Sequence, residues 1–172
     1  MDHLSSHIIS LTVFLPLAGV AAVLAIPGRW RGAIRALAFL VSLITLALAS
    51  LIFARVRGTG DFEIVELASW IPALGIYYHV GIDGVSALLI LMTAVLVPVS
   101  ILVSWREIDR GVKAFHCLVL LLETGMLGVF AALDLFLFYV FWEAVLIPMI
   151  FIIGVWGSGG RIAAAVKFVI FT

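Results

Sequence analysis

The segment from Asp134 to Gly157, DLFLFYVFWEAVLIPMIFIIGVWG, decides the fold class of this chain. It is apolar for 22 residues, from Leu135 to Trp156, except for one acid, Glu143. A helix of that length crosses the hydrocarbon core of a bilayer. Glu143 is the ninth residue of the run, so it lies about 13 Å from one end, near the bilayer midplane. A carboxylate there is costly unless it is protonated, paired or hydrated, which makes Glu143 a candidate functional residue.

Two neighbours of the acid support this interpretation. Pro148 has no N–H, so the carbonyl of Ala144 loses its helical partner. A kink and a spare acceptor beside Glu143 predict a hydrated polar pocket inside a helix bundle. Trp142 is expected at mid-depth against the acid. The other four tryptophans lie near the ends of apolar runs, where interface anchors belong: Trp30, Trp70, Trp105 and Trp156.

The composition indicates a polytopic membrane protein. Hydrophobic residues make up 65% of the chain and charged residues only 12%, with a mean hydropathy of +1.32. The formal net charge is zero, which gives no indication of a nucleic-acid partner. The single cysteine, Cys117, excludes an internal disulfide and a cysteine-ligated cluster within the chain. The sequence has no metal-ligand spacing, phosphate loop or nucleophile motif.

The apolar runs predict an all-α fold with five complete transmembrane helices and the start of a sixth, in a single membrane domain spanning 1–172. The predicted helices cover 8–26, 36–54, 85–105, 114–133 and 135–156. Asp83 is a plausible N-cap of the third helix, and Asp134 makes the turn into the fifth. Residues 62–67 could form a short strand or a surface helix, because their periodicity fits both.

Charge predicts the orientation. No Lys or Arg precedes the first run, which argues against a cleaved signal peptide. With the N-terminus outside, eight basic residues lie in inner segments and two, Arg55 and Arg57, in outer ones. Residues 55–84 then form an extracytoplasmic loop. The sixth run begins near Ala163 and reaches Thr172 after ten residues, so we expect a longer polypeptide.

A second acid, Glu123, is the tenth residue of the fourth run. It lies about 15 Å from the inner end, close to the depth of Glu143 on the next, antiparallel helix. We expect both carboxylates to face the protein interior and to line one half-channel, with Glu143 the more buried. A carboxyl that can ionise there can load and release a proton. Thr124, Gly125 and Gly128 beside Glu123 favour a close helix contact.

Structural alternatives remain open for several of these residues. Either acid could be a neutral structural group bonded to a backbone carbonyl. His116 and Cys117 suit packing or interface positions better than ligand positions. Lys167, at the inner mouth of the sixth run, could be a plain interface anchor or a functional residue.

The residues of the fifth run also resemble a known family. FYVFWEAVLIPM at 138–149, followed by IGVWG at 153–157, resembles the N-terminal part of chain M of NADH:quinone oxidoreductase, respiratory complex I (mitochondrial subunit 4). Further segments match the same family in order. They are 74–76 with 81–86, then Glu123 with 128–130 and 134–135, and finally 164–168.

The resemblance implies an antiporter-like helix bundle built from inverted repeats. It implies proton translocation coupled to quinone reduction, with Glu143 working against a lysine on a later helix. Glu143 and Glu123 are thus the predicted proton-translocating residues, and Pro148, Trp142, Lys167 and Asp134 are expected to support them. It also implies that NADH, FMN, the iron–sulfur clusters and quinone are held by other subunits and that this chain carries no cofactor.

The implied partners are the other membrane-arm subunits, including the related antiporter-like chains, together with the lipid bilayer and protons. The implied location is the inner (plasma) membrane of a bacterium, or the mitochondrial inner membrane in a eukaryote. Two alternatives remain: a subunit of an Mrp-type cation/proton antiporter or membrane-bound hydrogenase, and a membrane scaffold whose buried acids only fix helix packing.

Overall fold

The computed structural model of the chain describes residues 7–58 and 60–172, so Asp2 and His3 lie outside the described residues. Six α-helices occur within them: α1 Ile8–Ala25, α2 Arg31–Arg55, α3 Gly84–Glu107, α4 Val112–Ala131, α5 Leu135–Trp156 and α6 Arg161–Phe171. The first five are long and apolar enough to span a membrane. The predicted helical membrane fold is therefore confirmed.

Several helix boundaries differ from the prediction; the largest difference is at the start of α2, and another is at the end of α4. Helix α2 begins at Arg31, five residues before the predicted start at 36. The extra turn carries Arg35, whose guanidinium donates to the carbonyl of Ile108 at 2.8 Å. Helix α4 ends at Ala131 instead of 133, because Ala132 forms a β-bridge with Val80.

The segment between α2 and α3 contains a β-hairpin, which decides the open question about residues 62–67. Strand β1, Ile64–Ile71, pairs antiparallel with β2, Ile76–Ile82. Gly75 makes the turn with φ 66°, a left-handed conformation that favours glycine. The all-α prediction therefore needs one addition, a two-stranded hairpin outside the spanning helices.

The bundle has two chemically different ends. At the hairpin end, the backbone N–H of Ile9 in α1 donates to the Glu66 carboxylate of β1 at 2.7 Å. At the other end, which we call the basic end, Lys113 donates to the carbonyls of Leu24 and Ile26 at 2.7 and 2.9 Å. The basic connectors α1–α2 and α3–α4 therefore meet at one end of the bundle, as the charge pattern predicted. Which end is outside stays a prediction.

Helix α4 is the central helix and packs against α1, α2, α3 and α5. The contact between α4 and α5 is close because two glycines of α4 face α5. A Cβ at Gly128 would lie 2.2 Å from the ring of Phe141, and one at Gly125 would lie 2.7 Å from Val145. The predicted close approach beside Glu123 is confirmed.

Asp83 and Asp134 are the N-caps of α3 and α5. The carboxylate of Asp83 accepts the backbone N–H of Ser86 at 2.7 Å. That of Asp134 accepts the N–H groups of Phe136 and Leu137 at 2.9 and 3.0 Å. Each cap satisfies amides that have no partner inside the helix.

Candidate functional site

Glu123 is a fully buried acid at the middle of the central helix. Its exposed fraction is 0%, and neither carboxylate oxygen has a hydrogen-bond partner. It lies on a buried stripe of α4 formed by His116, Leu120, Glu123 and Leu127, at the spacing of one helix face. Buried polar groups almost always have partners, so this carboxyl must be protonated, hydrated or both.

The apolar core is divided into two clusters at the level of Glu123. Leu127 belongs to the cluster at the hairpin end and Leu120 to the cluster at the basic end. In α2, Ala49 belongs to the cluster at the hairpin end and Val41 to the cluster at the basic end. The acid therefore lies at the boundary between two apolar halves.

Other polar groups occupy similar heights on the neighbouring helices. Thr45 of α2 and Thr93 of α3 are buried, and each hydroxyl donates to the carbonyl four residues earlier. At 1.5 Å per residue they lie about 15 and 14 Å from the hairpin end of their helices, and Glu123 lies about 12 Å from its own. Each hydroxyl oxygen can still accept a hydrogen bond. We call Thr45, Thr93 and Glu123 the polar layer.

Proline frees a further acceptor, which lies nearer the hairpin end of the bundle than these three groups. Pro16, inside α1, is buried and lacks an N–H, so the carbonyl of Thr12 loses its helical donor. The sequence analysis did not use Pro16, although a proline in a spanning run signals a freed carbonyl. The polar layer can thus hold a protonated carboxyl or water between two apolar halves.

The structure reverses the expected burial of the two acids. Glu143 is exposed on α5, whereas Glu123 is inaccessible. The reason is the helix period: Phe141 and Val145 of α5 face α4, and Glu143 lies half a turn from both. The prediction that Glu143 is the more buried acid is wrong within the described residues. The shared half-channel stays a prediction.

The surroundings of Glu143 are apolar. Trp142 is 42% exposed and its ring lies 5.7 Å from that of Phe138. A cavity of about 340 Å³ between α4, α5 and α6 includes Trp142 in its walls, which are otherwise formed mainly by apolar side chains. Glu143 does not line this cavity, and the hydrated pocket predicted around it stays a prediction. Pro148 is buried in α5, and Lys167 of α6 is exposed.

A third acid was missed by the sequence analysis. Glu66 of β1 is only 7% exposed, and its carboxylate accepts the N–H groups of Ile9 and Ser10 and the Ser10 hydroxyl. The Ser10 hydroxyl also contacts the Tyr78 hydroxyl at 2.8 Å. The acid caps α1 and attaches the hairpin to the bundle. A partner 57 positions away leaves no local sequence signal.

Two groups outside the spanning helices have shifted acidities. Burial raises the pKa of Tyr78, an effect partly opposed by its hydrogen bond with Ser10. The side-chain and backbone hydrogen bonds from Ser86 lower the pKa of Asp83. Both shifts favour the protonation state that fits the observed hydrogen bonds.

His116 is a second buried polar group on the stripe of Glu123. It is 0% exposed, and its Nδ1 lies 2.7 Å from the carbonyl of Val112. Its Nε2 has no partner, and neither has the buried Nε of Arg35. The predicted packing position of His116 is correct, but packing leaves one ring nitrogen unsatisfied.

Among the described residues, no group of three or more His, Cys, Asp or Glu side chains could hold a metal ion.

Comparison with known proteins identifies similar membrane subunits. A protein-family model described as NADH:quinone oxidoreductase/Mrp antiporter, TM, matches residues 132–172. The chain is 39% identical over 164 residues to the F(420)H(2) dehydrogenase subunit M of Methanosarcina mazei, covering 95% of this chain and 33% of that protein. It is 40% identical over 172 residues to the NADH-quinone oxidoreductase subunit M of Rhodobacter capsulatus, covering 96% and 33%.

The fold is similar to that of a chain in a solved respiratory enzyme. The structure of respiratory complex I from Thermus thermophilus with bound NADH contains a chain that matches with a TM-score of 0.80 and 36% identity. The match covers 95% of this chain and 32% of that chain. The chain thus spans about one third of the length of the relatives it matches.

Proposed function

The chain has the fold of an antiporter-like membrane subunit of the NADH:quinone oxidoreductases, and on that premise we propose that it forms part of a proton-translocating path in a respiratory membrane complex. The resemblance predicted from residues 138–157 is confirmed by relatives and by a solved complex I. The observation that carries the proposal is Glu123, with two unpartnered carboxylate oxygens at the boundary between two apolar halves of the bundle.

In this proposal Glu123 is the acid that holds a proton inside the bundle. A neutral carboxyl is tolerated between the apolar clusters, whereas a carboxylate is costly without a cation or water. The hydroxyl oxygens of Thr45 and Thr93 can accept from intervening water. Loading and release of the proton then change the charge at the centre of α4.

Glu143 has a different role. It lies on an exposed apolar face of α5, among Tyr139, Val140 and Ile147. A carboxylate on such a face needs a partner from outside the described bundle. We propose that a cation on another helix of the complex approaches Glu143. The ionised form of Glu143 is favoured when the cation is near, and the protonated form is favoured when the cation is distant. The roles proposed for Trp142, Pro148, Lys167 and Asp134 are supporting ones. Asp134 caps α5, which carries Trp142 and the buried Pro148, and Lys167 is exposed on α6.

The complex itself supplies the redox chemistry in this proposal. NADH, FMN, the iron–sulfur clusters and quinone belong to other subunits, and this chain carries no cofactor. Its partners are membrane-arm subunits, including related antiporter-like chains, and its location is the inner (plasma) membrane of a bacterium or the mitochondrial inner membrane. The Methanosarcina relative is named for a different electron donor, F(420)H(2). That NADH is the electron donor of this complex is therefore part of the proposal.

The test uses the full-length subunit in its assembled complex, in sealed vesicles. Glu123→Gln and Glu143→Gln keep the size of the side chain but cannot ionise. Each should leave assembly intact and lower the rate of donor-driven proton uptake by about tenfold or more, because positioned proton-transfer groups typically contribute 10²–10⁴-fold in rate. Glu143→Asp should retain part of the uptake. Normal uptake in both assembled Gln variants would favour a scaffold.

A second candidate is a cation/proton antiporter subunit, which the description of the matching family includes. An imposed sodium gradient without an electron donor separates the two. Under that gradient an antiporter moves protons, whereas the redox-driven pump does so only when the donor is added.

A further inference from the structure

A cavity of about 380 Å³ lies between α2 and α3 at the basic end of the bundle. Its walls are formed by Phe39 of α2 and by Leu102, Val103, Trp105 and Arg106 of α3. The rings of Phe39 and Trp105 meet edge to face across the two helices, with their centroids 6.3 Å apart. Leu102 and Val103 are 52% and 65% exposed, so the cavity opens away from the bundle.

The charge at this cavity is positive. Arg106 is exposed and makes no hydrogen bond or ion pair within the part of the chain that the structure describes. The two neighbouring acids, Glu107 and Asp109, line a separate cavity, and Asp109 is held by Arg35 at 3.3 Å. Arg31 is exposed one turn before Arg35 on the same face of α2. An anion in the first cavity would therefore meet a free guanidinium and no carboxylate in the walls.

An apolar face of α3 continues from this cavity toward the bilayer midplane. Leu96, Val99, Val103 and Arg106 follow at intervals of three and four residues, so they share one face of the helix. The three apolar members are between 50% and 65% exposed. From Arg106 to Leu96 the helix rises about 15 Å, which is half of the roughly 30 Å hydrocarbon core. The face therefore has the length of one lipid leaflet.

We propose that this groove, formed by Phe39, Leu102, Val103, Trp105 and Arg106, binds one anionic phospholipid. The Arg106 guanidinium donates to the phosphate oxygens, for which its planar fork of N–H groups is suited. One acyl chain lies against Leu102 and Val103 and continues toward the midplane, where it covers exposed apolar surface. Trp105 lies at the boundary between headgroup and chain, a position that tryptophan favours.

The groove fits a lipid better than a helix of another subunit. A phospholipid supplies both the anion for Arg106 and the apolar chain for Leu102 and Val103. A spanning helix would leave the guanidinium unpaired in an apolar contact unless it carried an acid at that level. The inference goes beyond the proposed function and depends on neither Glu123 nor Glu143.

The test uses the full-length subunit in its assembled complex, reconstituted in phosphatidylcholine vesicles. The vesicles contain a small amount of photoactivatable phosphatidylglycerol or, in parallel, photoactivatable phosphatidylcholine with the same acyl chains. Mass spectrometry of the peptides then maps the labelled residues. Phe39 and residues 102–105 should be labelled about fivefold more by phosphatidylglycerol, the effect expected for one arginine beside an anionic lipid. Equal labelling by the two lipids would overturn the proposal.

A matched pair of variants tests the role of the guanidinium. Arg106→Gln should bring the labelling ratio of the two lipids close to one while the complex still assembles. Arg110→Gln removes the same charge at the same end of the bundle, but its side chain lines the separate cavity, so the ratio should stay about fivefold. An unchanged ratio in Arg106→Gln, or an equal loss in Arg110→Gln, would show a general effect of surface charge and overturn the site.

A second pair tests the apolar wall. Leu102→Trp fills the groove and should lower labelling of Phe39 by both lipids. Leu88→Trp, at a similarly exposed position near the other end of α3, should leave it unchanged, and equal labelling in the two variants counts against the groove. In a cryo-electron microscopy map of the complex, an elongated density that ends at Arg106 supports the proposal. A helix of another subunit in the groove overturns it.

Discussion

Glu123 and Glu143 lie on opposite sides of the contact between α4 and α5: the first is enclosed by the bundle and the second faces away from it. Proton binding by the first is therefore governed by the interior of this chain. Proton binding by the second is governed by whatever covers the outer face of α5. Proton binding by these two acids, which lie at similar depth, is therefore controlled by different surroundings.

Glu123→Met should stabilise the protein while it removes function. The change replaces a buried carboxyl without partners by an apolar side chain of similar length, so a gain of about 1–3 kcal/mol is expected. Thermal unfolding of the purified complex measures it. Glu123→Gln, which keeps a polar head, is the matched control and should gain less. A lower melting temperature for Glu123→Met would mean that the carboxyl has a stabilising partner.

Gly128→Ala should loosen the contact between α4 and α5. The new methyl group would lie 2.2 Å from the ring of Phe141, so the helices must separate or the ring must turn. Overpacking of this kind typically lowers the stability by about 1–3 kcal/mol, and a loss in that range is expected here. Gly154→Ala is the control, because the nearest atom to its Cβ, in Ala165, is 3.7 Å away. Equal melting temperatures for the two variants would contradict the close approach.

Glu66→Ala should release the hairpin from α1. It leaves the N–H groups of Ile9 and Ser10 without their acceptor, at a cost of about 1–3 kcal/mol. Hydrogen exchange at these two amides should become faster, and so should proteolysis within the hairpin. Asp61→Asn, at an exposed acid in the same loop, should change neither rate.

The cap of α3 should weaken in acid. Its hydrogen bonds from Ser86 lower the pKa of Asp83 below the ordinary 3.8, so the cap stabilises the fold above that pH. Its contribution is lost as the pH falls through the lowered pKa, since protonation removes the charged acceptor. The protection of the Ser86 amide, meaning its exchange rate relative to that of an unstructured chain at the same pH, should fall in the native protein as the pH is lowered. Asp83→Asn should show no such pH dependence, and Asp83→Ala should cost about 1 kcal/mol at neutral pH.

The helices and the N-cap Asp83 could be predicted from local pattern, because run length and a single Asp before a run carry that information. Asp134 was predicted only to make the turn into α5. The hairpin could not be decided from residues 62–67, since pairing with 76–82 is a long-range property. Both acids were found because a charged residue in an apolar run is conspicuous. Their relative burial was not predicted correctly. The depth of a residue along a helix follows from its position in the sequence, whereas its burial depends on which neighbours pack against its face of the helix.

The two attachments of α1 have a consequence for the order in which the bundle is built. The amides at its beginning are accepted by Glu66, 57 positions later, and the carbonyls at its end receive Lys113, 89 and 87 positions later. During synthesis the first spanning helix therefore enters the bilayer with both ends served by water or lipid headgroups. It acquires its protein partners only after the hairpin and then the start of α4 have emerged. Helix α1 is therefore made well before the two residues that hold its ends.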